Sequence, residues 1–215
     1  QWSVAQNFRL GLSGVTQTNM PAHSSYRGLL AEGGDLDVPA SMQLGAAWDI
    51  APNLTLMADY KRVWNGSVPA LANTSLTTSP FGSNHGVGFG WKDVDIFKVA
   101  AEWRRSPDLT FRAGYSHSSS LTADKEADVS IFIPSFVQHH FTAGLSRQLT
   151  HNLDLEIAAM YAPTATRTGL ELGNPARTVQ SQASQIELTA GVVYRFGPAE
   201  APAARNVPFA PEPLK

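Results

Sequence analysis

The chain has 215 residues, of which 43% are hydrophobic and 16% are charged, and its formal net charge is −2. So small a charge provides no basic field for nucleic-acid binding. The absence of cysteine excludes disulfides, thiol catalysis and cysteine-ligated metal sites.

Eight segments alternate apolar with polar side chains, which is the period of a β-strand. In chain order, the predicted strands include residues 8–12, 42–50, 54–61, 97–103, 109–116, 141–149, 153–161 and 185–196. A tilted strand of about nine to eleven residues crosses the hydrocarbon core of a membrane. Because each segment has one apolar and one polar face, we predict an all-β fold, an antiparallel transmembrane β-barrel with lipid outside and a wet interior.

The connections between these segments alternate between two lengths. Short turns are predicted at residues 51–53, 105–108 and 150–152, and long loops at residues 17–38, 65–92, 119–136 and 164–183. Bacterial outer-membrane barrels place short turns on the periplasmic side and long loops outside the cell. We therefore expect a multi-pass barrel of the bacterial outer membrane, with both ends of the chain in the periplasm.

Aromatic residues on the apolar face should collect at the two membrane interfaces. Those near the short turns are Trp48, Trp103, Phe111, Tyr194 and Phe196, and those near the long loops are Tyr60, Trp64, Tyr115, Phe141 and Tyr161. Charged or titratable residues on that face, namely Arg62, His139 and Arg147, also fall near strand ends. Both distributions agree with strands that span a membrane.

The chain divides into a barrel region and a tail. Residues 1–196 contain the predicted strands and loops, whereas residues 197–215 contain five prolines and no alternation. Such a composition predicts an extended periplasmic tail, which serves as a spacer or as a docking segment.

Several sequence blocks resemble the outer-membrane long-chain fatty acid transporter family of the FadL/TodX type. The blocks are residues 34–45, 51–60, 88–93, 108–115, 134–144 and 194–196, in the family's order. The resemblance implies a fourteen-stranded barrel whose N-terminal segment plugs the lumen, and a hydrophobic substrate that leaves sideways. Only the second half of that plan is matched here. We expect a fragment with the last eight strands; the alternative is a shortened protein that closes on itself.

The inward-facing charged residues are the group that most resembles a binding site. They are Arg9, Lys61, Lys98, Arg104, Arg112 and Arg195, with Asp49, Asp59, Glu102, Asp154, Glu156 and Glu187. Balanced charges on neighbouring strands are expected to pair with one another. The functional alternative is that Lys98 or Arg112 receives a substrate carboxylate, because an unpaired carboxylate in a partly dry lumen is costly.

Apolar side chains in the predicted outer loops suggest where a greasy ligand is captured. One group contains Ile131, Phe132, Ile133 and Phe136, and the other contains Phe81, Phe89 and Trp91. Exposed apolar clusters commonly mark contact surfaces, so these residues are candidates for an acyl-chain groove. Packing of the loops on the barrel rim is the alternative.

Enzymatic signals are weak. The six histidines show no metal-ligand spacing, and the adjacent His139 and His140 should point to opposite faces of one strand. A rim hydrolase built from His117, Ser118 to Ser120 and Asp124 remains an alternative. We predict a protein that is not an enzyme and uses no cofactor.

The predicted function is passive uptake of long-chain fatty acids or other hydrophobic compounds across the outer membrane. The expected partners are that small molecule and the outer-membrane lipid and lipopolysaccharide around a monomeric barrel, without nucleic acid. The alternative is a small eight-stranded structural or adhesion barrel that transports nothing.

Overall fold

The computed structural model describes residues 1–122, 125–126, 133, 135–171 and 174–196. These residues form one nine-stranded antiparallel sheet whose strands are neighbours in sequence order. The strands are β1 (Trp2–Ala5), β2 (Phe8–Val15), β3 (Ser41–Ala51), β4 (Leu54–Val63), β5 (Val94–Ser106), β6 (Leu109–Ser118), β7 (His139–Thr150), β8 (Leu153–Glu171) and β9 (Asn174–Tyr194). The first and last strands, β1 and β9, do not pair with each other, so the described sheet is open.

All eight predicted strands are present, and the short strand β1 precedes them. One predicted loop is wrong, because residues 164–183 lie mostly in the paired strands β8 and β9. Their pairing continues from Ala165 opposite Ala183 to Glu171 opposite Asn174. This part of the hairpin is polar on both faces, so the alternation that identifies a membrane-spanning strand is absent although the backbone pairing continues.

The register confirms the two-faced sheet. On one face, Val99, Tyr115, Phe141 and Tyr161 lie side by side on four consecutive strands. The next level on that face has Ala101, Ala113, Ala143 and Ala159. The opposite face contains most of the charged side chains, whereas Arg62 and Asp95 form an ion pair at the long-loop end of the first face. Several large apolar side chains on the first face are about half exposed, as expected of a surface that meets lipid.

The buried apolar residues lie mainly at the long-loop end. Two one-turn helices occur there, α1 (Ala31–Gly34) and α2 (Pro69–Ala72), with 3₁₀ turns at Ser24–Tyr26 and Asn65–Ser67. Helix α2 begins with Pro69, whose missing N–H is not needed in a first turn. Val68, which precedes the helix, and Leu71 within it are buried, at 2% and 7% exposure. The loops therefore pack a small core of their own. No described helix is long and apolar enough to cross a bilayer.

Candidate functional site

A continuous chain of polar side chains crosses the charged inner face near the short turns. Its members, which we call the inner belt, are Arg9, Asp49, Thr55, Arg104, Glu102, Arg112, Ser146 and Glu156. They come from seven neighbouring strands, β2 to β8. Because neighbouring inward positions are in register, short side-chain contacts link one strand to the next.

The first half of the inner belt centres on Asp49 and Thr55. Asp49 Oδ1 accepts hydrogen bonds from Arg9 Nη2 at 3.1 Å and from the Thr55 hydroxyl at 2.6 Å. Thr55 Oγ1 in turn accepts from Arg104 Nη2 at 3.0 Å, and Thr55 is only 4% exposed. A buried hydroxyl thus joins two charged groups across the β3–β5 part of the sheet.

The second half of the inner belt engages Arg112, one of the two predicted carboxylate receptors. Its Nε donates to Glu102 Oε2 at 2.8 Å, and its Nη1 donates to the Ser146 hydroxyl at 2.7 Å. Glu102 also accepts from Arg104 Nη1 at 3.3 Å. Arg112 therefore has protein partners already, and a substrate carboxylate would compete with Glu102 for it.

Lys98, the other predicted receptor, has a different environment. It lies opposite Asp59 on β4 and Ser116 on β6, on the inner face. Within the described part of the chain its ammonium makes no ion pair or hydrogen bond, and the residue is exposed. The structure thus distinguishes the two candidates: Arg112 is paired, and Lys98 is available.

A depression of about 400 Å³ lies on the inner face beside the inner belt, and we call it the lumen groove. Small side chains form much of its lining, namely Ala100, Gly114, Gly144, Ala158 and Gly191. Met57 and Arg112 also line it. Lys98 lies two residues from Ala100, about 7 Å along the strand. The groove thus offers an apolar surface between a free cation and a neutralised charge network.

A larger depression, about 640 Å³, lies on the other side of the same strands. It is lined mainly by residues of the apolar face, including Trp48, Leu56, Val99 and Tyr115. Because that face carries the large exposed apolar side chains expected to meet membrane hydrocarbon, the smaller lumen groove is the better candidate for a binding site.

The loop residues predicted to capture a ligand lie in different environments. Phe89 and Trp91 contact each other with ring centroids 5.6 Å apart, and Phe81 is 51% exposed. Ile133 is 41% exposed, whereas Phe136 is only 2% exposed and belongs to the loop core. Phe136 was expected on the loop surface, but it is buried in the loop core. Ile131 and Phe132 lie outside the described residues.

A buried carboxylate between the loops escaped the sequence prediction. Glu126 is 7% exposed, and its Oε2 accepts the backbone N–H of Ser75 at 3.2 Å. Gly90, at φ +62°, lies so close to Glu126 that a Cβ would overlap the carboxylate. Trp91 and Thr122 form an adjacent β-bridge. A lone glutamate in a polar loop gives no sequence signal for this contact.

The loop between β2 and β3 contains a carboxylate that holds its two sides together. Asp37 accepts the Met20 N–H at 2.7 Å and the Gln17 side-chain amide at 2.8 Å. These two hydrogen bonds, the Met20 bond foremost, hold the pKa of Asp37 below its usual range. Burial, followed by the neighbouring Asp37, raises the pKa of Asp35. The pKa values of the two carboxyls are therefore shifted in opposite directions.

The fold recurs in solved outer-membrane proteins. The P. putida toluene transporter TodX is 17% identical over 91% of this chain and 47% of its own, with a TM-score of 0.60. A Pseudomonas aeruginosa FadL homologue is 15% identical over 90% and 50%, with a TM-score of 0.59. The Ralstonia pickettii toluene transporter TbuX is 17% identical over 89% and 45%, with a TM-score of 0.50. The chain thus spans about half the length of these proteins.

No curated protein matches the chain in sequence. Residues 5–196, however, match the model of a family described as outer membrane protein transport protein (OMPP1/FadL/TodX). That match covers all the described strands except the first three residues of β1. The chain therefore belongs to the OMPP1/FadL/TodX family of outer-membrane transport proteins.

Proposed function

We propose that this chain forms part of the wall of an outer-membrane channel for passive uptake of long-chain fatty acids or related hydrophobic compounds. The observation that carries the proposal is the lumen groove, an apolar surface beside the paired charges of the inner belt. Burial of an alkyl chain against such a surface yields about 0.8 kcal/mol per methylene. Binding followed by diffusion then suffices, and no bond is made or broken.

Capture would begin at three aromatic side chains of the outer loops, one exposed and two half-buried. Phe81 is exposed, and Phe89 and Trp91 form a ring pair beside α2. Phe89 N–H donates to Ala70 O at 3.3 Å, and Trp91 N–H donates to Leu71 O at 2.8 Å. This backbone anchoring holds both rings in place, which lowers the entropic cost of binding an apolar molecule.

The unpaired ammonium of Lys98 favours a carboxylated substrate over an uncharged one. Its ammonium lies close to the lumen groove and lacks a partner among the described residues, so a fatty acid could place its chain in the groove and its carboxylate at Lys98. Two of the similar solved structures are named as transporters of toluene, an uncharged aromatic compound whose binding needs no cation. The charge of the substrate is therefore the point to test.

The test measures uptake of radiolabelled oleate and of toluene by cells that carry the full-length protein, with Lys98→Met and the control Lys92→Met. Lys92 is an exposed loop residue, so its loss should leave both rates unchanged. A charge-assisted contact contributes about 1.5–3 kcal/mol, so K98M should lower oleate uptake about 10- to 100-fold and spare toluene. Equal oleate uptake in K98M and wild type would remove Lys98 from the proposal. Equal uptake with and without the protein would remove the channel.

A further inference from the structure

Two histidines lie side by side on the lipid-facing side of the sheet, at its long-loop rim. His117 near the end of β6 is directly opposite His139 at the start of β7. Their ring centroids are 4.7 Å apart, with 35° between the ring planes. The uptake function assigns nothing to this pair, because His140 and not His139 faces the lumen.

The backbone brings these two side chains together. Ser118 N–H donates to Gln138 O at 2.9 Å, which makes residues 118 and 138 a hydrogen-bonded pair. In an antiparallel ladder the next pair, His117 with His139, is then non-hydrogen-bonded, and its Cα atoms lie about 4.5 Å apart. Side chains at such positions approach each other more closely than at any other cross-strand position.

Each ring has one nitrogen, Nε2, that is left for a ligand. Within the described residues, Nδ1 of His117 is buried without a hydrogen-bond partner, and no hydrogen bond engages Nε2 of either ring. Nδ1 of His139 is 2.8 Å from the Tyr115 hydroxyl. When Nε2 of His139 binds a cation, its Nδ1–H can donate to the Tyr115 oxygen, and such an outer hydrogen bond orients a metal-bound histidine.

We propose that His117 and His139 chelate a divalent transition-metal ion of the Zn²⁺ or Cu²⁺ class. Two imidazoles bound to one zinc ion at about 2.0–2.1 Å with a tetrahedral angle have ring centroids about 5 Å apart. The observed centroid distance of 4.7 Å is close to this requirement. The described residues contain no cluster of three or more metal-binding side chains, so water completes the coordination.

The chemistry of the pair selects the metal. Neutral imidazole suits zinc and copper, whereas calcium and magnesium prefer oxygen ligands. Bound metal would tie the end of β6 to the start of β7, where the intervening segment leaves and rejoins the sheet. The site is separate from the lumen groove, because the two histidines lie on the opposite face of the wall.

The experiment titrates the metal-free full-length protein, purified without a tag in detergent at pH 7.5, with ZnCl₂ by calorimetry. The variants are His117→Gln and His139→Gln, and the matched control is His140→Gln, next in sequence but on the other face. Wild type and H140Q should bind one zinc ion per chain, and H117Q and H139Q should lose it. Tyr115→Phe should weaken binding by about 10- to 100-fold.

A second measurement does not depend on the stability of the variants. Wild-type protein loaded with one equivalent of Cu²⁺ should give an electron paramagnetic resonance spectrum with superhyperfine splitting from two equivalent imidazole nitrogens. A single coupled nitrogen, the absence of stoichiometric zinc binding in wild type, or equal losses in H140Q and H139Q would each overturn the proposal.

Discussion

Filling the lumen groove at Gly191 should block uptake without unfolding the sheet. Gly191 on β9 lies opposite Glu156, and a Cβ added there would be 3.9 Å from the Glu156 Cβ, an ordinary contact. By contrast, a Cβ at Gly114 would be only 2.9 Å from the Thr142 hydroxyl. Gly191→Phe is therefore the substitution that occupies the groove with the least strain on its wall.

The size of the effect follows from the spacing of the strands. Neighbouring strands are about 4.8 Å apart, which is the length of about four methylene groups of an extended chain. A phenyl ring on one strand excludes about that many methylenes, each of which contributes about 0.8 kcal/mol. The loss of about 3 kcal/mol corresponds to uptake lower by on the order of 100-fold when the groove is limiting.

Ala190→Phe is the matched control for this substitution. Ala190 is the neighbouring residue, and it lies opposite Ile157 on the apolar face, where another aromatic ring meets lipid. Oleate uptake should fall in G191F and stay at the wild-type rate in A190F, with equal amounts of both proteins in the membrane. If both variants transport like wild type, the substrate does not pass along the lumen groove.

Two further predictions concern the loops. Gly90→Ala should loosen the contact with Glu126, because a non-glycine residue at φ +62° costs about 1–2 kcal/mol and the Cβ overlaps the carboxylate. Limited proteolysis should therefore cut the loops of this variant faster than those of the control Gly28→Ala, whose Cβ meets nothing. Equal cleavage rates in the two variants would contradict the contact. Because the pKa of Asp37 is lowered, its contribution to the stability of the β2–β3 loop is present above the ordinary aspartate pKa. That contribution is lost as the pH falls through the lowered value. Pepsin should therefore cleave the β2–β3 loop increasingly as the pH falls, and Asp37→Asn should remove most of that pH dependence. The same pH dependence of cleavage in D37N and wild type would refute the role of Asp37.

The membrane-spanning strands could be predicted because lipid and a wet lumen impose different side chains on the two faces. The row of Val99, Tyr115 and Phe141 on one face of the sheet is an example of this selection for apolar side chains. In the outer part of the β8–β9 hairpin both faces carry mainly polar side chains, so the alternation disappears while the pairing persists. Sequence patterning therefore identifies the environment of a strand more reliably than its length.

The candidate site was only partly predictable, for a geometric reason. Glu102 and Arg112 flank the short turn at residues 105–108, so the sequence places them near each other, but a register shift between Arg104 and Ser106 brings them directly opposite. Lys98 lies opposite Asp59 across β4 and β5, which are joined by a long loop that leaves the register open in the sequence. The side-chain hydrogen bonds that occupy Arg112 and leave Lys98 unoccupied follow from the three-dimensional register.

The paired inner belt explains how a charged lumen face can serve a hydrophobic substrate. An isolated charge there would hold water against the groove, and displacing that water would oppose entry of an alkyl chain. Each guanidinium of the inner belt instead contacts a carboxylate of the wall, through Asp49 for Arg9 and Glu102 for Arg104 and Arg112. The guanidiniums of the inner belt are thus paired, and Lys98, which lies outside it, is available for the carboxylate of the fatty acid proposed as substrate.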